Sequence, residues 1–270
     1  MAITKATGPV LGNYTVGTGN VALGDTALDS VQTGGDYNVA IGNNAGTAIT
    51  TGDRNVVIGA SAGDAITTST KNIAVGTSSL TTNTTGDNNV AIGDQALSDN
   101  STASNNTAVG TSALTANTTG SENTAVGSTA LDANTTGASN TAVGREALSA
   151  NTTANSNTAV GESALRVSTT GAANTAVGAN SLTANTTGTR NTAVGANAGD
   201  AITTGSTNTL MGYVAGGALT TGAQNVAIGD SALANATTSN NNVAIGQDAL
   251  ANNTTGTQNT AVGALSLDAH

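Results

Sequence analysis

One short pattern, Asn-x-Ala-x-Gly with a few substitutions at the Ala, recurs along almost the whole chain. It begins at Asn20, Asn38, Asn55, Asn72, Asn89, Asn106, Asn123, Asn140, Asn157, Asn174, Asn191, Asn208, Asn225, Asn242 and Asn259. The first spacing is 18 residues and the other thirteen are all 17; the extra residue falls in Gly34-Gly35-Asp36-Tyr37. A 17-residue period is too short for helical repeats, which need more than about 30 residues for two helices and their turns. Val, Ile and Thr at the second to fourth positions favour strand, and the Gly and Asn positions favour turns. The period therefore predicts a parallel β-solenoid of fifteen coils, each with about two short strands and two tight turns. Coils stacked at the roughly 4.8 Å strand spacing would build a rod about 70 Å long. Seventeen is not a multiple of six, so a flattened two-sheet roll fits better than a triangular hexapeptide helix.

The consensus coil is N-[TV]-A-[VI]-G-x-x-[AS]-[LG]-x-x-[NI]-T-T-G-x-x, with positions numbered one to seventeen from the Asn. Composition supports a thin, regular interior over an ordinary core. The 270 residues include no Cys, Phe or Trp, and Tyr occurs only as Tyr14, Tyr37 and Tyr213. Aromatics supply much of the buried area of an ordinary core. Low charge and abundant Gly, Asn, Thr and Ser would suit disorder, but disorder gives no reason for strictly periodic apolar residues.

Three columns define the interior. Asn at position one, including Asn89, Asn106, Asn123, Asn140 and Asn157, reads as a ladder of stacked amides. Gly at position five, including Gly93, Gly110, Gly127 and Gly144, reads as a backbone with positive φ or a close approach between coils. Position nine is Leu in eleven coils and Gly46, Gly63, Gly199 or Gly216 in the others. In those four coils position twelve becomes Ile49, Ile66, Ile202 or Leu219, where most other coils have Asn. Interiors leave few voids, so the displaced aliphatic group is expected to plug the same space.

Alternation puts positions two and four on one strand face and position three on the other. Val90 and Ile92 share a face opposite Ala91, and Val109, Val126, Val143 and Val160 continue the stripe. Both faces are apolar, as in a strand buried on both sides. One face fills its own coil. The other would expose a long apolar stripe, which soluble monomers rarely do. The stripe is expected to line either the coil interior or an interface between chains.

At these residues the sequence resembles the heads of trimeric autotransporter adhesins, the YadA-like head. Asn88-Asn89-Val90-Ala91-Ile92-Gly93 followed by Ala96, and Asn241-Asn242-Val243-Ala244-Ile245-Gly246 followed by Ala249, carry the likeness, which spans roughly residues 20–267. The resemblance implies a left-handed β-roll and a homotrimer with the Val-Ala-Ile strand near a three-fold axis. Two departures stand out: a period longer than those heads typically have, and Thr at position two in many coils. Similar Asn-Thr-Ala-Val-Gly arrays occur in phage tail-fibre and other virion fibre proteins. Met1 to Gly19 has no apolar h-region of a secretory signal, so a virion fibre is as well supported as a bacterial surface head. The organisation expected is an N-terminal cap or attachment segment over residues 1–19 and a β-roll over 20–270.

Chemistry-bearing residues are sparse. The only His is the last residue, His270. A Ser-His-Asp site is therefore not expected, and without Cys a Cys-His site is impossible. Acidic residues such as Asp25, Asp94, Asp64, Asp132 and Asp87 scatter over turn positions without forming columns, which argues against paired-carboxylate catalysis or a calcium roll. The basic residues Lys5, Arg54, Lys71, Arg145, Arg166 and Arg190 are isolated, and net charge is −10. That balance argues against nucleic-acid binding or an anionic membrane surface. No stretch approaches the roughly 20 apolar residues of a membrane span. The sequence thus points to a non-enzymatic structural or adhesive fibre without cofactor or metal, located extracellularly on a bacterial surface or virion. Its expected partners are two further copies of itself and a host-cell receptor or extracellular surface. The alternatives are an ice-binding β-solenoid, suggested by the Thr columns at thirteen and fourteen, or an end-to-end assembling filament subunit.

Overall fold

The Val-Ala-Ile and Thr-Ala-Val triplets are short, β-branched and followed at once by Gly, so each supports an extended run of three residues and no more. The computed structural model describes residues 17–268. The expected N-terminal segment therefore lies outside the described residues except for its last three. Among the described residues there is no helix.

The chain forms two compact units, one ending at Thr129 and one starting at Ala130. In the first, β1 (Val21–Leu23), β2 (Val39–Ile41), β3 (Val56–Ile58), β4 (Ile73–Val75), β5 (Val90–Ile92), β6 (Thr107–Val109) and β7 (Thr124–Val126) stack in chain order. In the second, β8 (Thr141–Val143), β9 (Thr158–Val160), β10 (Thr175–Val177), β11 (Thr192–Val194), β12 (Thr209–Met211), β13 (Val226–Ile228), β14 (Val243–Ile245) and β15 (Thr260–Val262) do the same. Within each unit neighbouring strands pair in parallel, with like positions opposite one another: Val90 faces Thr107, Ala91 faces Ala108 and Ile92 faces Val109. The 17-residue period is thus a β-solenoid in perfect register.

Each coil holds one strand, not the two expected. The remaining residues form turns and bends. The backbone explains this. In the coil of Asn89, Gln95, Leu97 and Asn105 (positions seven, nine and seventeen) take φ of 57°, 53° and 62°. The same positions are left-handed from coil to coil. Such residues turn the chain every few positions and prevent a second extended run. The far wall is still tied to its neighbours one amide at a time. Leu97 N–H donates to Ala113 O at 2.9 Å, and Thr84 N–H donates to Ser101 O at 2.9 Å.

Position five is as the sequence demands. Gly93 has φ +136°, and an added Cβ would collide with the Gly110 carbonyl of the next coil. Both a forbidden conformation and a backbone-to-backbone approach exclude any side chain there.

The interior is narrow, and positions three, eight and nine supply its apolar filling in most coils, with buried Ser79 and Ser181 at position eight in two of them. Ala91, Ala96 and Leu97 are wholly buried, as are their counterparts in most coils. Ile49, Ile66, Ile202 and Leu219 are also fully buried, as the compensation argument requires. The details go further. A Cβ on Gly63 would lie 2.8 Å from Ile66 Cδ1 and 2.7 Å from Val57 Cγ1. At Gly199 it would meet Leu210 Cδ1 at 2.6 Å and Ile202 Cδ1 at 3.1 Å. At Gly216 the nearest atoms all belong to Leu210 and not to Leu219. The plug thus comes partly from position three, where Val57 and Leu210 replace the usual Ala.

Candidate functional site

The inner wall of each strand is set by its Asn. Asn89 is fully buried beside Ala91, so positions one and three point inward and positions two and four point out. The ladder expected at position one is present, but it runs mainly through the backbone. Asn106 N–H donates to Asn89 Oδ1 at 3.0 Å, and Asn123 N–H to Asn106 Oδ1 at 2.9 Å. The amide hydrogens go to carbonyls: Asn89 Nδ2 to Ala103 O at 2.9 Å, Asn106 Nδ2 to Gly120 O at 2.9 Å, and Asn140 Nδ2 to Ala154 O at 2.8 Å. Asn157 joins both kinds, donating from N–H to Asn140 Oδ1 at 3.0 Å and from Nδ2 to Gly171 O at 2.9 Å. Direct amide-to-amide bonds are added in some coils, as from Asn55 Nδ2 to Asn38 Oδ1 at 3.1 Å. An apolar residue here would orphan a buried N–H and a buried carbonyl in one step.

A second buried Asn ladder at position twelve was not read from the sequence. Asn100 Nδ2 donates to Asn83 Oδ1 and Asn117 Nδ2 to Asn100 Oδ1, both at 2.9 Å. The signal was present in the repeated Asn at twelve, but its alternation with Ile pointed only to packing. Position sixteen holds a further set. Thr70 N–H donates to Asp87 Oδ1 at 2.6 Å, Ala138 N–H to Asn155 Oδ1 at 2.7 Å, and Ala223 N–H to Asn240 Oδ1 at 2.8 Å. These side chains tie the turn of one coil to the next. Position thirteen does likewise: Thr186 Oγ1 donates to Thr203 O at 3.0 Å. The fourteenth-position threonines, by contrast, are exposed throughout.

Within each unit the outer strand face repeats an aliphatic residue at position four. Ile92 is 40% exposed, Val126, Val143 and Val160 are each 36% exposed, and Val90 and Val109 are half-buried. None lies in the coil interior, which removes that half of the sequence expectation. Met211 and Tyr213 are exposed on the coil of β12, and Val262 and Leu265 on that of β15. In β8 to β11 the same face pairs a Thr column with a Val column.

Two basic residues read as isolated have partners. Arg145 forms ion pairs with Glu146 and, one coil on, Glu162; the Glu162 hydrogen bond and both carboxylates raise its pKa. Arg54 lies over the Tyr37 ring, 6.0 Å from its centroid. Asp64, Asp132 and Asp200, all at position ten, have pKa values raised by burial. Among the described residues no group of three metal-ligating side chains occurs, and no helix is long and apolar enough to cross a membrane. Compared with known proteins, the chain matches no family model, and no curated protein matches its sequence.

Proposed function

We propose that this chain is one subunit of a homotrimeric structural fibre, an adhesive head or virion fibre, assembled through the outer strand face. The observation that carries the reading is the column of aliphatic side chains at position four, exposed or half-buried on strand after strand in both units and flanked at position two by Val, Ile or Thr. An apolar surface repeated over so many strands is of the kind that closes by self-association. The resemblance to adhesin heads supplies the number three and the extracellular setting. In this reading the molecule performs no catalysis. Its turns, including the exposed Thr at position fourteen, are what a receptor or surface would meet.

The test is sedimentation equilibrium on the wild-type chain and on Ile92→Asp. In a lone chain residue 92 is 40% exposed, so the substitution costs about 1 kcal/mol, the span of strand propensity, and leaves the fold intact. In the trimer it buries carboxylates near one axis, at several kcal/mol per ion after relaxation, and the assembly falls to monomers. A wild-type monomer at micromolar concentration overturns the proposal, and a stable dimer keeps the interface but removes the three-fold axis.

A second reading is favoured by one feature. Thr141, Thr158, Thr175 and Thr192 stand beside Val143, Val160, Val177 and Val194 on the same outer face, a regular array of the sort an ice-binding surface needs. That role requires the face to be bare in solution. Thermal hysteresis by a monomeric chain would select it.

A further inference from the structure

The ladder at position twelve is interrupted at Ser168. On one side Asn151 donates from Nδ2 to Asn134 Oδ1 at 2.8 Å and to Ala154 O at 3.2 Å. Its own Oδ1 is buried and has no hydrogen-bond partner. On the other side Asn185 Nδ2 donates to Gly188 O at 3.1 Å and to no neighbouring side chain. Between them Ser168 is fully buried, and its Oγ reaches only Gly171 O, at a long 3.5 Å. An acceptor, a hydroxyl and a spare amide hydrogen thus occupy position twelve of three successive coils, where the regular ladder would place an Asn amide in the middle one.

We propose that Ser168 marks a buried hydration site. One water there donates to Asn151 Oδ1, accepts from Asn185 Nδ2 and shares a hydrogen bond with Ser168 Oγ. Three partners are what a buried water typically has. Ser lacks two of the side-chain heavy atoms of Asn, and a water, which takes about 30 Å³ in the liquid, is of comparable size. Asn185 supplies the contrast. Its Oδ1 is also without a partner, but the next coil presents fully buried Ile202. The aliphatic side chain leaves no polar group to hold a water on that side. The ladder therefore ends dry at Ile202 and wet at Ser168.

A crystal structure of the full chain at a resolution that orders solvent should show a water within hydrogen-bond distance of all three groups. Ser168→Asn should expel it and restore the ladder, raising the melting midpoint by about 2–4 °C for one recovered hydrogen bond. Ser168→Val also expels the water but restores no hydrogen bond, so its midpoint should fall. A dry interruption in the wild-type density overturns the proposal. So does a water that persists in Ser168→Asn, or an equal fall in midpoint for both variants.

Discussion

The coil of Asn89 and the coil of Asn191 solve one packing problem in two ways. In the first, Leu97 fills the interior and Asn100 continues the amide ladder. Leu97 does so at φ 53°, a left-handed conformation that costs roughly 1–2 kcal/mol for a residue with a Cβ. In the second, Gly199 takes φ 59° without that penalty. Ile202 and Leu210 then fill the space, and the ladder stops. Burying a Leu side chain contributes about 1.5–3 kcal/mol, so the leucine overcomes its strained backbone by a small margin. Both solutions occur in one chain. They are not freely mixed. The Gly coils come in adjacent pairs, those of Asn38 and Asn55 and those of Asn191 and Asn208. Pairing lets one enlarged position-three residue, Val57 or Leu210, serve two glycines at once.

Leu210→Ala should therefore be the most damaging way to break the comparison. It removes the atoms nearest to both Gly199 and Gly216, and neither coil has a Leu at nine to relax into the space. A loss of about 3–5 kcal/mol is expected, the upper part of the range for buried Leu→Ala, measured by chemical denaturation. A loss below about 1 kcal/mol, the scale of Ile→Val, would show that Leu219 already fills the space.

Leu97→Gly should cost less, about 2–4 kcal/mol, because relief of the left-handed strain offsets part of the lost burial. Adding Asn100→Ile recreates the Gly solution in a Leu coil. It should restore about half of the loss. The remainder reflects Asn83 Oδ1, which loses the Asn100 amide at 2.9 Å, and Asn117 Nδ2, which loses its bond to Asn100 Oδ1 at 2.9 Å. No recovery in the double variant would mean that positions nine and twelve do not share a space.

The exchange between nine and twelve was legible because an aliphatic residue vanished at one position and appeared three residues on. Gly at position five was legible for the same reason: nothing else occurs there. Which strand face points outward was not, since Val90 and Ile92 are as apolar as Ala91. The deciding residue is Asn89, whose buried amide fixes the parity of its strand. The single strand per coil was also hidden. Leu97 and Gln95 give no compositional sign of positive φ, unlike Asn105, whose type is enriched there; for Leu it is a conformation that only a tightly stacked neighbour can enforce.

The smallest expected effect tests what the two kinds of coil have in common. Asp132 follows Leu131, and Asp200 follows Gly199, yet burial raises the pKa of both. The position-ten turn is thus indifferent to how the interior is filled. A raised carboxyl pKa means that folding disfavours the charged form. The penalty is fully present at neutral pH, shrinks as pH falls through the folded pKa, and is gone below the unfolded one. Asp132→Asn and Asp200→Asn should each stabilise at pH 7, by up to about 0.5 kcal/mol since the sites are partly open to solvent. Each variant should converge with the wild type in acid. Asp132 should gain slightly more, because Glu146 adds like charge and its Oδ1 is buried without a partner. Melting curves from pH 3 to 7 would read this directly. A stabilisation that grows as the pH is lowered would reverse the sign and refute the burial argument.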